Sequence, residues 1–94
     1  MADYIARVEV FDCSREEYEK LHEAMESIGF NKTITGNSGN VKALPDGTYV
    51  GSSPDDAYAV RDLIKKKAKP FSSKDPAIFV CRFDVWAGYL YPAS

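Results

Sequence analysis

Cysteine and histidine are scarce in this sequence, and each scarcity removes a class of chemistry. The two cysteines, Cys13 and Cys81, form no Cys-x-x-Cys pair and stand beside no histidine cluster. The zinc and redox motifs built on such spacing are therefore excluded, and no metal site is expected from these residues. There is no Gly-rich phosphate loop, no Gly-x-Ser-x-Gly nucleophile elbow and no paired-histidine metal motif. The start, Met1-Ala2-Asp3-Tyr4, lacks a signal-peptide pattern, so both thiols are expected free and the protein cytoplasmic. No apolar run approaches the ~18 residues of a membrane span, and no membrane association is expected. Excess positive charge is also missing. A net charge of −2 and a pI near 5.3 weigh against a protein that coats nucleic acid by electrostatics alone, though not against one with a local basic face.

What is present describes one folded domain, residues 1–94, with 45% hydrophobic and 28% charged residues. A chain of this size buries roughly 60–70% of its unfolded surface, enough for a single core. Tyr4 to Phe11 predicts a first strand, with Tyr4, Ala6, Val8 and Val10 on one face and Arg7 and Glu9 on the other. Ser14 with Glu17 forms a Ser-x-x-Glu capping box for a helix whose apolar stripe is Tyr18, Leu21, Met25 and Ile28. Gly29 ends it. Phe30 to Thr35 predicts a second strand. The turn formers from Gly36 to Asn40, a short extended piece from Val41 to Leu44 and the turn Pro45-Asp46-Gly47 lead to a third strand, Thr48 to Gly51.

A second helix is expected to be capped by Ser53, with Pro54 at its first position and Asp55 and Asp56 in its first turn. Its buried side is Ala57, Val60, Ile64 and Ala68, joined by Leu63. Lys65, Lys66 and Lys67 lie in its last turn, where positive charge suits the helix dipole, and Pro70 stops it. The last strand is expected from Ala77 to about Trp86. The order β-α-β-β-α-β is the split βαβ, or ferredoxin-like, α+β arrangement: a four-stranded antiparallel sheet with two helices on one face and the other face open.

Candidate chemistry falls at a few places. Asp12 follows the first strand where the chain leaves the sheet. There a carboxylate can hold a hydrated Mg²⁺, accept a proton or simply help cap the helix. One carboxylate makes a poor metal site, so a second Asp12 from a homodimer or a substrate phosphate would have to complete it. His22, the only histidine, sits at the edge of the first helix's apolar stripe, and its near-neutral pKa suits a general acid or base acting on an RNA 2′-hydroxyl. Arg7, Arg82 and Asp84 belong to strands that pair in this fold. With Phe11 and Trp86 they would give the open face a mixed basic and aromatic character that can stack bases, but the usual RNA-recognition strand signature is missing and solvated cross-strand charge pairing accounts for them better. Lys65 and Lys66 could contact phosphates or form a solvated helix end. Acylphosphatase, a small enzyme of this fold, carries a glycine-rich cradle that Phe11-Asp12-Cys13-Ser14-Arg15 lacks. No tightly bound organic cofactor is expected.

With these elements placed, the chain resembles the GhoS family, the endoribonuclease antitoxins of type V toxin–antitoxin systems. The resemblance rests on the strand ending in Phe11-Asp12, the segment Leu21-His22-x-x-Met25 running into Phe30, and Leu44-Pro45 before the third strand. It implies a bacterial cytoplasmic protein with a ferredoxin-like fold related to the CRISPR adaptation nucleases, cleaving single-stranded toxin mRNA. It places Asp12 at the family's first-strand aspartate, and His22 where the family has an arginine. On this reading Asp12 and His22 act on the scissile phosphate, and Arg7 and Arg15 hold the RNA backbone. The rival expectation is a non-enzymatic interaction module that uses the open sheet face or the aromatic tail Trp86-Ala87-Gly88-Tyr89-Leu90-Tyr91.

Overall fold

The computed structural model describes residues 1–93. Its first strand, β1 (Ala2–Glu9), begins and ends two residues earlier than the alternation predicts, but its faces fall as expected. Tyr4, Ala6, Val8 and Val10 are buried beneath the helices. The chain then turns through Asp12, whose φ of 56° is the one left-handed non-glycine backbone among the described residues. Ser14 caps α1 (Arg15–Glu26): its hydroxyl accepts from Glu17 N while Glu17 accepts from Ser14 N, so both halves of the capping box are made. Leu21 and Met25 carry the buried stripe. Gly29, at φ 84°, releases the chain into β2 (Phe30–Asn31).

The predicted second strand is in fact two. After Lys32 the chain leaves the main sheet, and β3 (Thr33–Thr35) pairs with β4 (Val41–Ala43) as a separate ribbon. The reason lies in two apolar residues. Phe30 is buried on the helix side, whereas Ile34 lines a chamber on the opposite side of the sheet. Residues four apart on one straight strand share a face, so burying both requires a break between them.

β5 (Thr48–Ser53) runs two residues beyond its predicted end, because Ser53 still pairs with Ala2 of β1. The second helix is therefore not capped by Ser53. The cap is Asp56, whose carboxylate accepts from Ala59 N at 2.9 Å, and α2 spans Ala57–Ala68 with Pro54 and Asp55 in the preceding turn. Val60, Ile64 and Ala68 are buried as expected, but Leu63 stays 39% exposed at the flank of that stripe. A short 3-10 turn at Lys69–Phe71, containing Pro70, ends the helix. β6 (Ala77–Phe83) stops three residues short of Trp86.

The main sheet is antiparallel with order β2-β5-β1-β6, and the element sequence is that of the ferredoxin-like α+β fold with the β3–β4 ribbon inserted. The core between sheet and helices is built from Tyr4, Leu21, Met25, Phe30, Tyr49 and Ile64, all nearly inaccessible.

The second sheet face is covered in part, Phe79 and Cys81 of β6 remaining exposed on it. The ribbon folds over it, and the C-terminal segment joins the ribbon's free edge: Ala43 N donates to Tyr91 O at 2.9 Å and Ala93 N to Val41 O at 3.2 Å. Nor do the two strand arginines share a face. Arg7 stands opposite Thr48 and Phe79 on the second face, while Arg82 stands opposite Tyr4 and so projects to the helix side. The expected joint basic face of Arg7 and Arg82 does not form.

Candidate functional site

The first helix and one turn of the chain assemble a cleft around the only histidine. Arg15, Tyr18 and His22 recur at spacings of three and four on α1, which stacks them along one side of the helix. Facing them is the turn Pro45-Asp46-Gly47, closed by Thr48 N donating to Pro45 O at 3.0 Å. Gly47 fixes this turn in two ways. Its φ of 77° is left-handed, and an added Cβ would meet Val8 O at 2.8 Å. The close approach exists because Val8 N donates to Gly47 O at 2.7 Å, tying the turn to β1. Arg15, Tyr18, His22, Asp46 and Gly47 bound a cleft of about 590 Å³.

A second hollow of about 340 Å³ shares Tyr18, Asp46 and Gly47 and continues past Arg7, Glu9 and Phe79. The two hollows adjoin at Tyr18, Asp46 and Gly47 and together form a groove around the turn, Arg15 lining the first, and Arg7 and the exposed ring of Phe79 the second.

His22 is half-buried, and its Nδ1 lies 2.7 Å from the hydroxyl of Tyr49 in a hydrogen bond. Tyr49 is a core residue of β5, so this bond fixes the imidazole against the rigid part of the molecule. Burial lowers the His22 pKa first and nearby Lys32 lowers it further, while Glu19, Glu26 and Asp46 act in the opposite sense. The ring is therefore neutral at neutral pH. Tyr49 is pushed up to about 12, mainly by burial, and stays a phenol able to donate to Nδ1 or accept from it. The Tyr18 ring packs 6.3 Å from that of His22, centroid to centroid. A neutral imidazole held at one nitrogen, with an arginine and a carboxylate sharing its cleft, can move a proton and steady a phosphate.

Asp12 stands apart from this cleft. Its carboxylate accepts from the Ser73 hydroxyl at 2.5 Å, within a latch in which Ser73 N donates to Phe11 O and Lys74 lies 4.2 Å over the Phe11 ring. Asp12 does not cap α1, since Ser14 does. Among the described residues no group of three His, Cys, Asp or Glu side chains is placed to hold a metal ion. Asp12 supplies a single carboxylate, already bonded to Ser73, so water or a substrate phosphate would have to provide the rest of a Mg²⁺ shell there.

Arg15 joins His22 in the cleft, and Arg7 reaches the far end of the groove, where its Nη1 donates to Thr48 Oγ1 at 3.2 Å. Arg82 lies on the other side of the sheet. Lys65 and Lys66 border a separate shallow hollow on α2 with Asp62, Lys69 and Asp75, where Lys69 pairs with Asp75. Asp46, Tyr49 and Phe79 carry no signal in the sequence that places them at a site, and Tyr18 reads there as core alone. The spacing of Arg15, Tyr18 and His22 was a usable signal for Tyr18, whereas Tyr49 meets His22 only through tertiary packing. Both cysteines are free.

Fold and cleft together define a small α+β protein whose single histidine lines a cleft on a ferredoxin-like scaffold. Residues 1–88 match the family model described as endoribonuclease GhoS, and the chain belongs to that family. No curated protein matches the chain. Among the described residues no helix is long and apolar enough to cross a membrane.

Proposed function

We propose that this protein is an endoribonuclease of antitoxin type that cleaves single-stranded RNA, the transcript of a partner toxin, in the cleft around His22. The observation that carries this reading is the neutral, Tyr49-anchored imidazole sharing a cleft with Arg15, in a chain of an endoribonuclease family. His22 takes the proton from a ribose 2′-hydroxyl. The 2′-oxygen forms a bond to phosphorus, the bond from phosphorus to the 5′-oxygen of the next nucleotide breaks, and that oxygen leaves with a proton from solvent or the imidazolium. Arg15 stabilises the charge that builds on the phosphoryl oxygens. Asp46 favours the imidazolium while it exists. Arg7, at the far end of the groove, holds the RNA backbone.

A labelled pool of single-stranded RNAs tests the assignment. His22→Ala is expected to lower the cleavage rate by about 10²–10⁴-fold, the usual contribution of a positioned general base, with the circular dichroism spectrum unchanged. Arg15→Ala is expected to weaken both binding and turnover. A second reading rests on the left-handed backbone of Asp12, a conformation found at functional sites as well as in turns. Full activity in His22→Ala with loss in Asp12→Asn would move the chemistry to the strand end.

A further inference from the structure

The ribbon and the C-terminal segment do more than cover part of the second sheet face; they leave a chamber of about 330 Å³ beneath them. Its floor is Ile5, Val50 and Phe83 on the sheet, and its walls are Ile34 and Leu44 from the ribbon side and Trp86 and Leu90 from the tail. The lining is apolar and partly aromatic, with two polar groups, Arg7 and Thr48. Thr48 is 4% exposed, and its hydroxyl accepts from Arg7 Nη1. Among the described residues Arg7 makes no ion pair, so its remaining guanidinium donors are uncommitted. Arg7 also borders the groove that leads to His22, so one side chain stands between the phosphate track and the chamber.

A flat ligand with apolar faces and hydrogen-bond acceptors on its edge suits these walls. A phosphate bound to that ligand would lie toward the groove. A nucleotide has this construction. Trp86, 40% exposed in the chain as it stands, offers an accessible indole face, and bases stack on such aromatic faces with little regard to sequence. The arginine donors then discriminate, since they pair with carbonyl and ring-nitrogen acceptors on the base edge.

We propose that this chamber receives one nucleobase of the single-stranded RNA, stacked on Trp86 and addressed by Arg7, so that it sets where along the strand the His22 cleft cuts. The inference rests on the RNA-cleaving reading of the His22 cleft and extends it to sequence selection.

Trp86 is the only tryptophan, so its fluorescence reports on the chamber directly. The His22→Ala variant, which binds without cutting, is titrated with short single-stranded oligoribonucleotides and with oligomers of the same length carrying an abasic position. Quenching of Trp86 by the intact strands, lost at one particular abasic position, is the expected result. Val50→Phe, which fills the chamber from its floor and leaves Trp86 in place, is expected to abolish the quenching. In the cleaving protein, Trp86→Ala is expected to weaken retention of RNA on a filter by about tenfold and Val50→Phe to change the pattern of cut sites. RNA that is retained and cleaved while Trp86 emission stays constant would overturn the chamber and leave the His22 cleft standing. RNA that is neither retained nor cleaved would overturn both.

Discussion

At the scale of single residues, the proposed chemistry comes down to one imidazole and the phenol that holds it. His22 must be neutral to accept a proton, and burial with Lys32 nearby keeps its pKa below the ordinary value of 6.5. The cleavage rate is therefore expected to rise with pH through a point below 6.5 and to be flat from neutral pH upward; a rate that instead falls on going from pH 5 to pH 7 would contradict a base role. The same shift links pH to stability. In the interval beneath pH 6.5 the unfolded chain binds a proton at His22 that the folded chain resists. The contribution is thus fully present above that value and is lost as the pH falls. The urea midpoint of wild type is expected to drop more than that of His22→Gln between pH 7.5 and pH 5. Tyr49→Phe keeps the buried ring and removes the hydroxyl. It is expected to destabilise the fold by about 1 kcal/mol in urea unfolding and to lower kcat by about tenfold, as His22 loses its anchor. His22 was legible as the sole histidine on a helix edge. Its anchor was not, because Tyr49 lies 27 residues away and only packing brings the two together.

At the scale of elements, local signals were read well where they are covalently near and poorly where pairing decides. The first helix carries its own start and stop, Ser14 with Glu17 and then Gly29, and the structure uses all three. The second helix carries two competing caps, Ser53 and Asp56, and the sheet chooses between them by keeping Ser53 paired with Ala2. The second strand broke at Lys32 because Phe30 and Ile34 serve opposite sides of the sheet, a fact invisible until both sides are covered. The turn at Gly47 is where an element most directly controls the cleft. Gly47→Ala meets both an unfavourable left-handed φ and the carbonyl of Val8 at 2.8 Å. It is expected to destabilise by about 1–2 kcal/mol or more and to weaken cleavage, because Asp46 moves with the turn. Chemical unfolding together with the cleavage rate checks this, and an unchanged midpoint would contradict the constraint.

At the scale of the whole molecule, the alternating and helical periods of the sequence were enough to order the elements as β-α-β-β-α-β, and the sheet order β2-β5-β1-β6 follows. The covering of the second face was not legible. It depends on the tail meeting the ribbon through Ala43 and Tyr91, residues far apart in sequence with no pattern that pairs them. One sheet face carries the helices, the other holds the chamber, and the groove between Arg15 and Arg7 passes around the Asp46–Gly47 turn. The proposed cleavage stands on attack by a ribose 2′-hydroxyl in the His22 cleft. The most direct test is an RNA substrate carrying a single 2′-deoxynucleotide on the 5′ side of a mapped cut. Cleavage is predicted to vanish at that bond, persist at neighbouring cut sites, and leave a 2′,3′-cyclic phosphate at the ends that do form. Undiminished cleavage at the deoxy position would contradict the mechanism and the role of His22 with it.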